Sequence, residues 1–410
     1  MSKIFVDQVD PKTATTLTLG TSGDTVSIPS GVTIANSGSA TGFGDATSFR
    51  PNVNPIIING NMELSQRGTS FTSNGYSLDR YTIDESTDGA ITVTQDTDVP
   101  SGYGFGKSLK VDCTTADASI GAAQYCIFTS KLEGQNLQLL KYGTSSAENV
   151  TLSFWVKSVK TGTYCMSFVK EAGSGTRYEC PIEYTISSAS TWEKKVINLS
   201  PTAGSTSLIT AANGAIVNSN ASGFRIIWTL VSGSNFHATN NTWVAGSDKL
   251  ATSNQVNFLD NTSNNFWITG VQMEVGEYTS ATIPPFQFES YGDNLLRCQR
   301  YFTKDGDAIN YAADGAMGNF SFWEDAEALG YRQFPVMMRA APTMDTPTVS
   351  SGYRFHYAST VDDVSTAGII STGSAFNCYI YKNGVSGTKG GAGHASIIGT
   401  GAYVSFSAEL

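Results

Sequence analysis

The stretch NVTLSFWVK at residues 149–157 decides the fold class of this chain. Its apolar residues recur at every second position, so Val150, Leu152, Phe154 and Val156 lie on one face of a strand. An apolar strand face has to be covered by another layer of secondary structure. The stretch therefore predicts one strand of a two-sheet β-sandwich.

Neighbouring stretches repeat this pattern at residues 107–113, 224–230 and 267–275, and turn signals such as KTGT at residues 160–163 separate them. Only residues 132–142 suggest a turn or two of helix. We therefore predict a central β-sandwich domain over residues 51–290.

Residues 1–50 form a separate segment of very short strands with few aromatic residues. Each strand has apolar residues two apart, which is too little to bury a face within one chain. Three chains wound together would bury it, so we predict a trimeric stalk that attaches to a larger particle; a flexible arm that orders on a partner is the alternative. The stalk residues are Leu17, Leu19, Val26, Ile28, Val32 and Ile34.

The C-terminal part, residues 291–410, begins with a helical pattern and then returns to strands. Leu295, Cys298 and Phe302 have helical spacing, whereas residues 378–381 and 403–407 alternate as strands do. We predict a small β-rich head here. The chain as a whole is predicted to be all-β, because strands and helices do not alternate along it.

The composition argues against several classes of protein. A net charge of −10 disfavours nucleic acid as a partner. Apolar runs are too short for membrane insertion, and an acidic residue at Asp7 interrupts the start before a secretory signal could form. These observations predict no nucleic-acid partner, no membrane insertion and no secretory signal.

Metal, cofactor and catalytic motifs are equally weak. The six cysteines form no C-x-x-C pair, and the three histidines have no cysteine nearby, so we predict buried free thiols and no metal site or cofactor. Whether loop oxygens hold a structural Ca²⁺ stays open. No nucleophile motif is present, and we predict no catalytic residue; paired acids leave glycan hydrolysis as a minor alternative. These pairs are Asp84 with Glu85, Asp96 with Asp98, and Glu324 with Asp325 and Glu327.

Five sequence elements, in order, resemble those of bacteriophage tail-fibre and virion fibre proteins. They are NPIIINGNMELSQRGTS at residues 54–70, YSLDRY at 76–81, TLSFWVKS at 151–158, TGVQMEVG at 269–276, and PPF at 284–286 followed by CQRYF at 298–302. The resemblance covers about residues 54–305. It implies a jelly roll like that of carbohydrate-binding modules, in a homotrimeric fibre that is made in the bacterial cytoplasm and located on the virion.

Aromatic residues give the best candidate binding site. Sugars present apolar faces that stack on exposed rings, while polar side chains bond their hydroxyls. The head is rich in such residues, and the alternation predicts that Tyr379 and Tyr381 share a face opposite Ile380. The alternative is that these rings pack the head or a trimer interface. The candidate glycan-binding residues are Trp323, Tyr331, Tyr353, His356, Tyr357, Tyr379, Tyr381 and Lys382.

Together these observations predict a structural, non-enzymatic virion protein: a trimeric tail fibre that attaches through residues 1–50 to other tail or capsid proteins. Its distal domains would contact host cell-surface glycan. The alternatives are a capsid or tail decoration protein without receptor binding, and, less favoured, a glycan depolymerase.

Overall fold

The computed structural model describes residues 54–173, 176–246, 248–306, 315–370, 374–399 and 401–410. The predicted stalk residues, Leu17, Leu19, Val26, Ile28, Val32 and Ile34, lie outside these ranges. Residues 50–410 form one compact unit. We call residues 54–290 the body and residues 291–410 the head.

The described residues of the body form thirteen strands and five short 3-10 helices. The strands are β1 (Ser70–Phe71), β2 (Gly75–Tyr76), β3 (Tyr81–Ser86), β4 (Ala90–Asp96), β5 (Ser108–Thr115), β6 (Tyr125–Glu133), β7 (Val150–Ser158), β8 (Gly162–Lys170), β9 (Tyr178–Ile186), β10 (Glu193–Leu199), β11 (Ser222–Ser232), β12 (Val244–Ala245) and β13 (Asn265–Val275). The 3-10 helices are Gly134–Leu140, Ala203–Ser205, Ala212–Gly214, Ser234–Phe236 and Phe258–Asp260.

These strands form two antiparallel sheets that enclose one core, as a β-sandwich does. The first sheet has the order β1-β4-β5-β13-β7-β10, and the second has β12-β9-β8-β11-β6-β3-β2. The chain crosses repeatedly between the two sheets, as in a jelly roll, although four pairs of successive strands (β2 and β3, β4 and β5, β8 and β9, β11 and β12) stay within one sheet. The prediction from residues 149–157 is confirmed, because Val150, Leu152, Phe154 and Val156 are all 0% exposed.

The head begins with helix α1 (Tyr291–Gln299), where the sequence predicted one. The Ser290 hydroxyl accepts a hydrogen bond from the Asp293 backbone N–H at 3.1 Å and so caps the helix. The helix ends before Phe302, which is instead the first residue of a strand. Leu295 and Cys298 nevertheless pack together on the inner side of the helix.

Ten further strands lie in the described part of the head. They are β14 (Phe302–Gly306), β15 (Gly315–Glu324), β16 (Glu327–Gln333), β17 (Thr343–Asp345), β18 (Tyr353–Tyr357), β19 (Thr360–Val364), β20 (Ile369–Ile370), β21 (Asn377–Asn383), β22 (Ala392–Ile397) and β23 (Tyr403–Ser407). They form a small sheet, β14-β23-β17, and a large one, β19-β18-β22-β15-β16-β21-β20, around a second core. The chain is therefore all-β, as predicted.

All six cysteines are buried and free, as predicted from their place in alternating strands. Burial raises the pKa of the Cys113 and Cys378 thiols to about 11. In the described ranges, no group of three or more His, Cys, Asp or Glu side chains could hold a metal ion. Over the same ranges, no helix has the length and apolar character that crossing a bilayer requires.

Candidate functional site

The candidate site lies on the outward face of three neighbouring head strands, β15, β16 and β21. Phe322 and Ile380 point inward and are 1% and 0% exposed, so the residues on either side of them point outward. Gly330 lets β15 and β16 lie close together, because a Cβ atom there would come within 2.1 Å of the Asn319 carbonyl oxygen.

Two tyrosines form the most exposed part of this face. Tyr331 on β16 lies directly opposite Tyr379 on β21 in the strand register. Their ring centroids are 4.8 Å apart with an interplanar angle of 53°, and the two residues are 62% and 36% exposed. Two large rings are thus held side by side in solvent, where they present apolar surface to a ligand.

A carboxylate links two more rings to the same face. The Trp323 indole N–H donates to Glu327 Oε2 at 2.8 Å, and the Tyr381 hydroxyl donates to the same oxygen at 3.4 Å. Trp323 is 55% exposed. Glu327 therefore fixes the orientation of both side chains.

The outward residues form successive rows along the strands. Tyr331 with Tyr379 makes the first row, Leu329 with Tyr381 the second, and Glu327 begins the third. The four steps along β16 from Tyr331 to Glu327 span about 13 Å, which suits an oligosaccharide better than a single sugar. We define the aromatic platform as Trp323, Glu327, Tyr331, Tyr379 and Tyr381.

The platform brings together half of the candidate residues from the sequence. The prediction that Tyr379 and Tyr381 share a face opposite Ile380 is confirmed. Sequence reasoning missed the hydrogen-bonding role of Glu327. The available signal was that Glu327, Leu329 and Tyr331 follow one another at intervals of two residues, since residues two apart in a strand share a face.

Tyr353 is a correction to the predicted set. It is 0% exposed in the head core, and its hydroxyl lies 2.8 Å from the Pro347 carbonyl oxygen and 2.9 Å from that of Tyr403. Its ring has no free face for a sugar. The neighbouring alternation contained the signal, because Tyr353 shares strand parity with the apolar Phe355.

Three other predicted residues lie away from the platform. Tyr357 packs against the inward Phe322 ring, with 4.8 Å between centroids. Lys382 points to the opposite side of β21 from Tyr381, and its ammonium group donates to Thr366 Oγ1 at 2.7 Å. His356 lies on β18, three strands from β16, and stacks on His394 with 4.3 Å between ring centroids.

The acidic pairs considered for hydrolysis are engaged in hydrogen bonds. Asp96 accepts from the Trp267 indole at 3.2 Å, and Asp98 accepts from the Trp192 indole at 3.0 Å. Burial would raise the pKa of Asp96, but hydrogen bonds from Asp98, Thr97 and Trp267 lower it below the usual value. A general acid needs a raised pKa, so Asp96 is poorly suited to that role.

Asp98 and Asp96 instead belong to a second aromatic surface, on the outward face of the first body sheet. The Lys157 ammonium lies 4.1 Å from the centroid of Trp267 and 5.5 Å from that of Trp192. It also forms an ion pair with Asp98. These contacts hold the segment that follows β4 against the sheet, and the sequence reasoning did not anticipate them.

Comparisons with known proteins give only distant similarities. No protein-family model matches the chain, and a search of curated proteins found no match. Among solved structures, the enzymatically active domain of tailspike protein 4 of bacteriophage CBA120 has a TM-score of 0.30 and 15% identity. That similarity covers 54% of this chain and 21% of the tailspike chain.

Two carbohydrate-binding modules of Clostridium thermocellum are similar at the same level. The family 11 module, in complex with a β-1,3-1,4-mixed-linked tetrasaccharide, has a TM-score of 0.25 and 11% identity over 51% of this chain and 96% of that one. The C-terminal family 22 module of Xyn10B has a TM-score of 0.26 and 13% identity. That similarity covers 53% of this chain and 99% of the module. At these scores the similarities carry no argument, and the sandwich assignment rests on the sheets themselves.

Proposed function

We propose that this chain is a structural subunit of a bacteriophage particle: a trimeric fibre protein that binds host surface glycan without cleaving it. Residues 1–50 would attach it to other tail or capsid proteins, the body would space the head from the particle, and the head would contact the host. The resemblance of residues 54–305 to phage fibre proteins supports the virion role. The aromatic platform is the observation that carries glycan binding.

The platform has the two features that sugar recognition uses. Tyr331 and Tyr379 offer exposed ring faces for stacking, and Glu327 and the tyrosine hydroxyls offer hydrogen bonds to sugar hydroxyls. A shallow face of this kind binds weakly by itself. Three copies in one fibre would raise the avidity, because the second and third contacts form at a high effective concentration.

The test is binding of the full chain to an array of bacterial surface polysaccharides, with titration calorimetry on those that bind. Tyr331→Ala and Tyr379→Ala are expected to weaken binding about five- to tenfold, since each removes one stacking face. Tyr291→Ala is the matched control, because Tyr291 on α1 is also 62% exposed but lies outside the platform. Equal effects of all three substitutions, or no glycan binding by the parent chain, would contradict the proposal.

Trimer formation is tested separately, by light scattering on the full chain. A trimer mass is expected, and replacement of Leu19 and Ile28 by aspartate should reduce it to that of the monomer. The same replacement should weaken binding to immobilised polysaccharide far more than binding to a short soluble oligosaccharide, because only the former gains from multivalency. A stable parent monomer at micromolar concentration would refute the trimer.

Two further measurements separate the alternatives. Soluble chain that blocks phage adsorption supports host attachment, whereas unchanged adsorption favours a decoration protein without receptor binding. Incubation with a bound polysaccharide should release no new reducing ends, and their release would show a depolymerase instead.

A further inference from the structure

The platform carries a carboxylate and no basic side chain. Glu327 is the only acidic residue of the platform, and none of the outward residues on β15, β16 and β21 in the described ranges is Lys or Arg. One carboxylate oxygen, Oε2, accepts from Trp323 and Tyr381. The other, Oε1, has no hydrogen-bond partner among the described residues, so it is available to a ligand.

The cationic side chains of the neighbouring strands and loops form ion pairs with acidic residues outside the platform. Lys389 pairs with Glu324 at 2.9 Å, and Arg354 pairs with Asp363 at 2.6 Å. Arg332 lies on the inner side of β16, where its guanidinium is 5.5 Å from the Phe406 ring and pairs with Asp305. The negative charge of Glu327 is therefore not balanced by a cation on the platform.

We propose that the platform selects glycans by charge: it binds amino sugars and neutral hexoses and rejects sugars that carry carboxylate or phosphate groups. This inference rests on the proposed function and specifies its ligand class. A hydroxyl or ammonium group can donate to Glu327 Oε1, and an ammonium makes the stronger, charge-assisted bond. An acidic group at the same place meets a like charge and offers no donor in its ionised form.

The experiment compares acidic oligosaccharides with their carboxyl-reduced forms of identical linkage and length, so that only the charge differs. The reduced member of each pair is expected to bind the full chain about fivefold more tightly at low salt. This factor corresponds to the repulsion between two like unit charges, on the sugar and on Glu327, about 4 Å apart in water. The ratio of the two affinities should fall towards one as the salt concentration rises, because salt screens the repulsion. A glucosamine oligomer should bind more tightly than its neutral glucose counterpart.

Glu327→Gln keeps the shape of the side chain and removes its charge. It should therefore bring the ratio of the affinities for the reduced and the acidic oligosaccharide close to one. Asp84→Asn is the matched control. It also removes one negative charge, and its carboxylate likewise accepts from a tyrosine hydroxyl, that of Tyr125 at 3.2 Å. In Asp84→Asn, the ratio of the affinities for the reduced and the acidic oligosaccharide should stay at the parent value. An equal change of this ratio in both variants would assign the effect to the net charge of the chain and contradict the proposal.

The outcomes separate this inference from the proposed function. Tight binding of an acidic glycan that is lost in Tyr331→Ala would overturn the charge selectivity and leave glycan binding intact. An unchanged ratio in Glu327→Gln would also overturn it. If the parent chain binds nothing on the array, the proposed function fails, and the inference fails with it.

Discussion

Asp79 and Arg80, from the YSLDRY element, are almost completely buried, with 1% and 3% of their surfaces exposed. The Asp79 carboxylate accepts from Gln66 Nε2 at 2.6 Å, and the Arg67 guanidinium lies 3.6 Å away. The Arg80 guanidinium lies 3.4 Å from the ring centroid of Tyr301, in the CQRYF element. Residues of separate sequence elements thus meet in one buried polar cluster.

Burial of Asp79 makes the stability of this cluster depend on pH. Desolvation raises the pKa of Asp79 to about 6, although Arg67 and Gln66 act to lower it. The folded state therefore binds this proton more tightly than the unfolded state, and the contribution of Asp79 to stability falls as pH rises from about 4 to 6.

Asp79→Asn should remove this dependence. Relative to the parent chain, the variant is expected to gain stability between pH 4 and pH 6, by up to about 3 kcal/mol. Urea unfolding at a series of pH values measures the difference. A difference that is constant over this interval would show that Asp79 ionises as easily in the folded state as in the unfolded one.

At the scale of the elements, alternation alone predicted the strands and which of their faces are buried. It worked where the inward positions of a strand are all apolar, as at residues 149–157, although outward positions also include apolar residues such as Trp155 and Ile227. The platform could be predicted only in part. Bringing Trp323, Tyr331 and Tyr379 together depends on the order β15-β16-β21, and strand order is set by packing over long sequence separations that a local pattern does not encode.

The close approach of β15 and β16 yields a prediction about Gly330. Gly330→Ala would place a Cβ atom 2.1 Å from the Asn319 carbonyl oxygen, so the strands must separate. We expect a loss of stability of about 1–3 kcal/mol, as for other overpacked sites, together with weaker glycan binding because Tyr331 is the next residue. Thermal unfolding and calorimetry measure the two effects.

Gly292→Ala is the control for this substitution. A Cβ atom at Gly292 has no other atom within 4 Å, and the residue lies in α1, so alanine should stabilise the chain slightly through its higher helix propensity. If Gly330→Ala behaves like this control, the two strands are not held as closely as their carbonyl contact implies.

At the scale of the whole molecule, two large cores belong to one compact unit because buried contacts join the body to the head. A small third cluster contains Ile58 and Leu64 from the body with Cys298 and Tyr301 from the head. Ion pairs surround it: Glu409 contacts Arg67 and Arg80, and Arg300 contacts Glu133. Buried contacts and ion pairs therefore join the head to the body at this cluster.

The Arg300–Glu133 pair should be the most sensitive point of this junction. Arg300 donates to both carboxylate oxygens of Glu133, at 2.8 and 2.9 Å, and the Glu133 side chain is 0% exposed. Burial acts to raise the pKa of Glu133, but the bonds from Arg300 hold it below the usual value. Arg300→Leu leaves this buried carboxylate without its cationic partner, with Gln135 Nε2 still donating to it at 2.5 Å, and should cost about 3 kcal/mol of unfolding free energy near pH 7.

The cost should shrink as pH falls, because protonation of Glu133 relieves the unpaired buried carboxylate in the variant and removes the stabilisation that the low folded-state pKa gives the parent chain. Glu133→Gln combined with Arg300→Gln should recover much of the loss, since two amides can bond without a buried charge.

Arg354→Leu is the control: its pair with Asp363 is about one-third exposed, with 31% and 34% of the side-chain surfaces accessible, so its loss should cost under about 1 kcal/mol. Urea unfolding followed by tryptophan fluorescence measures all three variants. If Arg300→Leu costs no more than Arg354→Leu, the buried ion pair does not hold the head to the body, and the other contacts of the third cluster must do so.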